Sequence, residues 1–385
     1  MAIQSRSENL KQLEDWKARE KTAESVFKGL AKAKRDIGVI IDSSETDFLS
    51  SRYNSIEAAS DAIEPLRVTF PQTHVIADRE IYFEYPNDDQ FKTNKKTDSS
   101  DWHLSTTHIN ELRKSSNPLF GEGVTIAILD TGVTPIQSLK DKIQSHYIYD
   151  FIKDNGKIIP RSKEGIINRY WHGTAIAELI SGETVGIAPK SKLIDIAMIP
   201  DNRGSLHQFI KSLYFTKSIP EVSIINFSAG LDNLELEEEA AINDVLLDII
   251  DSGILPIAAI GNKGKNNVSA PGHLKPCLSV GAAALGGAIW KNSGGKILKS
   301  PLGNYHKPDL VAPGANVFSI TRSGAYESFY GSSFATAIVS GIASLVLEKQ
   351  TTLKPLELKQ ILVGACISLN LDPDRQGAGF LRFPQ

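Results

Sequence analysis

The chain predicts an α/β fold: a doubly wound parallel sheet with helices on both faces, preceded by a small α+β N-terminal domain. Two observations predict the sheet. Continuous apolar runs at Val124–Leu129, Leu193–Ile199, Ser223–Phe227, Ile254–Ile260 and Leu278–Ala282 have the length and composition of buried strands. Helical patterns at His172–Ser181, Ser205–Lys217, Glu235–Asp251 and Ser333–Lys349 alternate with them. Strands without a polar side need cover on both faces, which crossover helices provide.

The elements follow in order. Residues 1–100 read as a separate unit. Ser5 and Glu8 fit a capping box, and Leu10, Leu13, Trp16, Val26, Phe27, Leu30 and Ala31 continue a broken helical stripe. Asp15 with Arg19 and Glu24 with Lys28 are favourable pairs one helical turn apart. Ile37–Ile41 reads as a strand, Ser55–Ile63 as a helix, and Leu66–Phe70 and Ile81–Tyr85 as strands. The stretch Asn87–Ser100 is polar and aperiodic, the pattern of a linker or exposed loop. The strand–helix alternation occupies residues 101–385.

Composition narrows the function classes. A chain of 385 residues can bury a large core and accommodates about two domains. A net charge of −3 offers no broad basic field for nucleic acid or anionic membrane. No apolar run reaches the roughly 18 residues of a membrane span, and Met1–Arg6 lacks an apolar signal-type stretch. The two cysteines, Cys277 and Cys366, are far apart and read as reduced thiols of a cytoplasmic protein. His103 and His108 do not share a helical face and have no carboxylate cluster nearby, so neither a metal nor a cofactor is expected.

Four short runs carry chemistry. Val124–Asp130 is an apolar strand ending on a carboxylate, and Trp171-His172-Gly173-Thr174 places an imidazole at a helix start. Ile257–Asn262 is an apolar strand leading to an amide, and Gly331-Ser332-Ser333 opens a small-residue helix. Each has a plain structural reading: Asp130 as a turn cap, His172 as a helix-start residue, Asn262 as a turn residue, Ser333 as a cap. Together they supply a nucleophile, its base, a carboxylate to orient the base, and an oxyanion donor. All four stand at strand carboxyl ends or helix starts, where open α/β sheets bind ligands.

The order Asp130, His172, Ser333 resembles that of the subtilisin-like serine proteases. Asp130-Thr131-Gly132, His172-Gly173-Thr174 and Gly331-Ser332-Ser333-Phe334-Ala335 resemble the family's three catalytic motifs. Ala258–Asn262 resembles its oxyanion segment, and Asn226–Gly230 its substrate-pairing strand. Val185–Pro189 and Pro308–Gly314 are further echoes; the resemblance covers residues 101–385, about three quarters of the chain. It implies a subtilisin-like doubly wound sheet and a serine endopeptidase working through an acyl-enzyme. Ser333 would be the nucleophile, His172 the base, Asp130 its orienting carboxylate and Asn262 the oxyanion donor, with no chemical role for Ser332.

The resemblance also implies that substrate runs along Ser228, Ala229 and Gly230. A side-chain pocket would lie between this strand and Ala258, Ala259 and Ile260, with Ser269 near its floor and a cis peptide at Ala270–Pro271. These small residues suggest an uncharged pocket and cleavage after apolar or medium-sized residues. Only Gly182-Glu183-Thr184 separates the histidine helix from Val185, so the family's long calcium loop is missing. The N-terminal domain resembles a propeptide, which implies an intramolecular inhibitor and a latent enzyme. The partners expected are a protein or peptide substrate, this N-terminal domain and an activating protein. The alternative is a non-catalytic or partner-activated regulatory binding module that keeps the fold.

Overall fold

The computed structural model describes residues 37–42, 49–53, 74–77, 80–82, 101–150, 157–162, 168, 170–200, 203–300, 303–321 and 324–384. Strands β1 (Ile37–Asp42), β2 (Leu49–Tyr53) and β3 (His74–Ala77) form an antiparallel sheet in the order β2-β1-β3, and β4 (Glu80–Tyr82) follows. Two short helices, α1 (Trp102–Thr106) and α2 (Ile109–Arg113), precede the central strand β5 (Thr125–Asp130). Then come β6 (Ile143–Asp150), β7 (Lys157–Arg161), α3 (His172–Ser181), β8 (Lys192–Ala197), β9 (Arg203–Ser205) and α4 (Leu206–Lys217). The alternation continues through β10 (Val222–Phe227), α5 (Leu236–Asp251), β11 (Leu255–Ala259) and β12 (Leu278–Ala283). Next are β13 (Lys296–Leu298), β14 (Tyr305–Lys307), β15 (Leu310–Pro313), β16 (Ala315–Ile320) and β17 (Tyr326–Tyr330). The chain closes with α6 (Ser332–Lys349), α7 (Pro355–Gly364), β18 (Cys366–Ile367), α8 (Pro373–Gln376) and β19 (Phe380–Leu381).

Among the described residues, ten strands join in one sheet, in the order β18-β19-β15-β12-β11-β10-β5-β8-β6-β7. The pairings from β19 to β6 are parallel, and the edge pairs β18–β19 and β6–β7 are antiparallel. From β5 the chain places β6 and β7 on one side and returns to insert β8 beside β5, then builds outward through β10, β11 and β12 on the other. That reversal opens a crevice at the carboxyl ends of β5 and β10, where ligands bind in such sheets.

Alternation along β5 explains the two-sided cover. Ile126 and Ile128 enter a core layer shared with α3 and α6, whereas Ala127 and Leu129 enter a second layer with α4 and α5. Helix α4 starts at a capping box between Ser205 and Gln208, and α5 carries Glu237, Glu238 and Glu239 against its positive end. Helix α6 is buried on all sides over Ser332–Leu347 because it runs through the middle of its layer, and its residues there are apolar or small hydroxyls. Its close approach to the loop after α3 depends on Gly341, where an added Cβ would stand 2.6 Å from Ile187 Cβ. Gly341→Ala is therefore expected to destabilise the fold by roughly 1–3 kcal/mol through overpacking, read as a lowered midpoint in thermal or urea denaturation.

Near the amino end, Ile76 of β3 is buried in the layer with α4 and α5. Strand β4 pairs antiparallel with β9, matching Glu80 to Ser205, Ile81 to Gly204 and Tyr82 to Arg203. The predicted helices near Ser5 and at Ser55–Ile63, the strand at Leu66–Phe70 and the polar stretch Asn87–Ser100 lie outside the described residues.

Candidate active site

Asp130 is the last residue of β5 and is fully buried. Its carboxylate accepts hydrogen bonds from Thr131 N at 2.7 Å and Thr131 Oγ1 at 3.2 Å. Gly132 follows with φ +103, a left-handed conformation that turns the chain sharply away from the strand. Val133 N then donates to Asp195 Oδ1 at 3.0 Å, and Asp195 Oδ2 lies 2.8 Å from His146 Nδ1. Complete burial pushes the Asp195 carboxyl upward, an effect that His146 opposes.

His172 opens α3 and meets Asp130 squarely. Its Nδ1 lies 2.9 Å from Oδ1 and 2.9 Å from Oδ2 of that carboxylate. The approach needs glycine at 173, because a Cβ there would come within 2.7 Å of Gly132 O and 3.2 Å of Asp130 Cβ. Trp171 anchors the helix start by donating its indole N–H to Ile320 O at 2.7 Å. The His172 ring meets the Phe334 ring edge-on, with centroids 5.7 Å apart, which sets the imidazole beside the first turn of α6.

Ser333 lies in that first turn and is 1% exposed. Its hydroxyl donates to Ser228 O at 2.7 Å, and Ser228 Oγ donates to Ser333 O at 3.3 Å. Asn262 follows β11, and its Oδ1 accepts from Ser332 N at 2.9 Å and from Ser332 Oγ at 3.0 Å. With Oδ1 fixed in this way, the carboxamide Nδ2 is the atom left to face a substrate. Asp130, His172, Ser333 and Asn262 thus converge from four separate segments on the crevice beside β5 and β10.

A family model described as the subtilase family (Peptidase_S8) matches residues 121–380. The chain belongs to the subtilase family. Serine protease AprX of Bacillus subtilis is 26% identical over 382 residues, covering 89% of this chain and 81% of that protein. Subtilisin BL of Lederbergia lenta is 26% identical over 259 residues, covering 65% of this chain and 86% of that protein. A solved protease from Pseudoalteromonas arctica superposes with a TM-score of 0.61 at 21% identity, covering 78% of this chain and 98% of that one. The protein is accordingly a subtilisin-like serine protease, a peptidase that hydrolyses peptide bonds.

Two contacts at the subtilase site go beyond the sequence reading. Ser332 is engaged: Asn262 Oδ1 at 3.0 Å and Gly261 O at 3.2 Å share its one hydroxyl proton, and its oxygen accepts from Gly261 N at 3.2 Å. It locks the turn that carries the amide. Ser332→Ala is expected to lower kcat about five- to tenfold, the loss of roughly one hydrogen bond, with KM little changed. Steady-state kinetics on a peptide substrate check this.

The second contact is that of Ser269, whose Oγ donates to Asp232 Oδ1 at 2.8 Å. Ser228, Ala229 and Gly230 follow β10 directly; Ala259 ends β11, and Ser269 N donates to Ile260 O at 2.9 Å. Ala258 faces the core layer with α4 and α5 and backs this wall. The Ala270–Pro271 peptide is cis, as predicted, and so is Lys307–Pro308.

His103 is committed elsewhere. It is fully buried, its Nε2 lies 2.8 Å from Val185 O, and burial lowers its pKa to about 4. The same loop is held by Arg113, whose guanidinium donates to Gly186 O at 2.5 Å and Ile187 O at 3.3 Å. Both thiols are free, and burial raises each to about 12, so neither is a nucleophile at neutral pH.

Proposed function

We propose that the protein is a serine endopeptidase that acts through Asp130, His172 and Ser333, with Asn262 as oxyanion donor, and is held latent by its N-terminal domain, residues 1–100. The observation that carries the catalytic reading is the contact of His172 Nδ1 with both Asp130 oxygens, beside the first turn of α6 that holds Ser333. That contact fixes Nδ1 as the protonated nitrogen and turns Nε2 towards the chemistry. Attack requires the Ser333 hydroxyl to rotate from Ser228 O towards Nε2, a rearrangement usual between unliganded and substrate-bound sites. His172 takes the proton as Oγ bonds to the scissile carbonyl carbon. The carbonyl oxygen becomes an oxyanion that Asn262 Nδ2 and Ser333 N can bind. Collapse expels the amine, to which His172 returns the proton, and water then hydrolyses the acyl-enzyme.

Asn262→Ala is expected to lower kcat by about 10²–10³, the scale known for one such donor in a subtilisin. KM should change little, since the bond strengthens in the transition state. A large rise in KM at constant kcat would instead make Asn262 part of the substrate wall.

Two contacts support latency: the burial of Ile76 against the layer with α4 and α5, and the pairing of β4 with β9. A tethered segment acts at high effective concentration, so modest affinity keeps a site closed. The full-length chain is expected to hydrolyse peptides more slowly than a catalytic domain folded with residues 1–100 and then separated. The isolated segment, added back, should inhibit competitively. Equal rates, with no inhibition on adding the segment, would make this region a docking module instead.

A further inference from the structure

The bond between Ser269 and Asp232 carries an inference about substrate choice, and it rests on the peptidase reading above. Ser228 O accepts from the nucleophile's hydroxyl, so the chain leaving Ser228 borders the place where the scissile residue must sit. That chain runs through Ala229 and Gly230 to Leu231, which forms an antiparallel bridge with Ala270. The opposite wall runs from Ala259 through Ile260 to Gly261. Ser269 closes the far end between the two walls. A Cβ added at Gly230 would lie 2.8 Å from Ser269 Cβ, and one added at Gly261 would lie 2.6 Å from Ser269 Oγ.

The polarity of this end is set by its hydrogen bonds. Ser269 spends its only proton on Asp232 Oδ1, so its oxygen offers the pocket lone pairs only. Behind it stands a carboxylate whose second oxygen lies 2.7 Å from Lys263 Nζ. The two partners are unequally held. The Asp232 side chain is 17% exposed, whereas that of Lys263 is 45% exposed. An ammonium so open to water is a weakly bound counterion and leaves much of the carboxylate's charge to act on the Ser269 side.

We propose that Asp232, through Ser269, selects substrates with a lysine or arginine side chain immediately before the scissile bond. The entering cation would meet the Ser269 oxygen, whose proton Asp232 holds, and the carboxylate behind it would supply the negative charge. This replaces the apolar preference that the small wall residues alone suggest.

The test uses fluorogenic tetrapeptides that differ only in the residue before the scissile bond: lysine, arginine, leucine or glutamate. The full-length protein is assayed before and after limited cleavage by immobilised trypsin, which is removed by filtration. The readout is the ratio of kcat/KM for lysine over leucine. The protein should favour lysine and arginine, and Asp232→Asn should reduce the ratio about tenfold or more, the scale of a hydrogen bond to a charged group. Lys263→Ala should raise it. Lys265→Ala removes a half-exposed lysine of the same loop that pairs with Asp372, and should leave the ratio as it was. Thermal melts confirm that each variant is folded.

A preference for leucine, or a ratio unmoved by Asp232→Asn, would overturn the assignment while leaving the peptidase intact. A preference for glutamate would overturn it in favour of Lys263 as the selector. Failure to cleave any of the peptides, processed or not, would instead remove the peptidase reading itself.

Discussion

Ser333→Ala is expected to lower kcat by about 10⁶, the loss found when the nucleophile of a subtilisin triad is removed. Among the described residues, the two neighbouring hydroxyls are already engaged. The Ser332 hydroxyl is tied to Asn262 and Gly261, and Ser228 Oγ donates to the Ser333 carbonyl. Whatever rate survives reflects binding and the oxyanion donors, which do not need the serine. The comparison with Ser332→Ala is decisive because the two serines are adjacent and both buried. A generic packing loss would affect them alike, whereas a nucleophile and a positioning residue separate by several orders of magnitude in kcat.

Asp130→Asn is the second large effect, about 10⁴ in kcat, the scale seen when a triad aspartate becomes an amide. The change keeps shape and burial but presents an N–H to His172 Nδ1, where both contacts are now carboxylate oxygens 2.9 Å away. The imidazole then carries its proton on Nε2 and cannot accept one from Ser333. Thr131 N donates to the same carboxylate, so the amide oxygen has one partner fixed and the NH₂ is driven towards the ring. Substrate KM should hold, because Asp130 lies beneath the crevice. Unchanged kcat in this variant would mean that the pair is structural.

Much of this was legible in the chain. β5, β8, β10, β11 and β12 are buried on both faces, so their sequences are continuous apolar runs, and the structure shifts their ends by at most two residues. The candidate site residues stand out in the sequence for a related reason. Asp130 ends an apolar strand and Asn262 follows one, while His172 and Ser333 lie in the first turns of helices whose neighbours must be small.

What the pattern hides is held by long-range contacts. β6 carries Ser145, His146 and Tyr147, and its polar histidine is tolerated only because Asp195 from β8 receives it. β13 and β14 are three-residue strands in which only Lys307 is buried, too short and too polar to announce themselves. β15 is apolar but four residues long, below the length at which periodicity speaks. Asp232 reads as a loop residue until the bridge between Leu231 and Ala270 brings it to Ser269, 37 positions away. Ser332 reads as a helix-start hydroxyl, and its partner Asn262 is 70 positions upstream.

Buried cations mark another feature that only folding creates. Lys307 is 2% exposed yet donates to Cys277 O at 3.1 Å and to Asp309 Oδ2 at 2.8 Å, with Lys359 3.3 Å from the same carboxylate. Burial lowers the Lys307 pKa, and Asp309 opposes that shift. Lys359 donates to Lys275 O at 3.0 Å and Cys277 O at 2.7 Å, so the two ammonium groups tie down the chain entering β12.

The most direct test of the central claim is to treat the protein, freed of its N-terminal segment, with a fluorophosphonate probe and to map the adduct by peptide mass spectrometry. One phosphonylated serine is expected, in the peptide that contains Ser333, and Ser333→Ala should abolish it. An adduct on any other serine, or labelling that persists in that variant, would contradict the assignment.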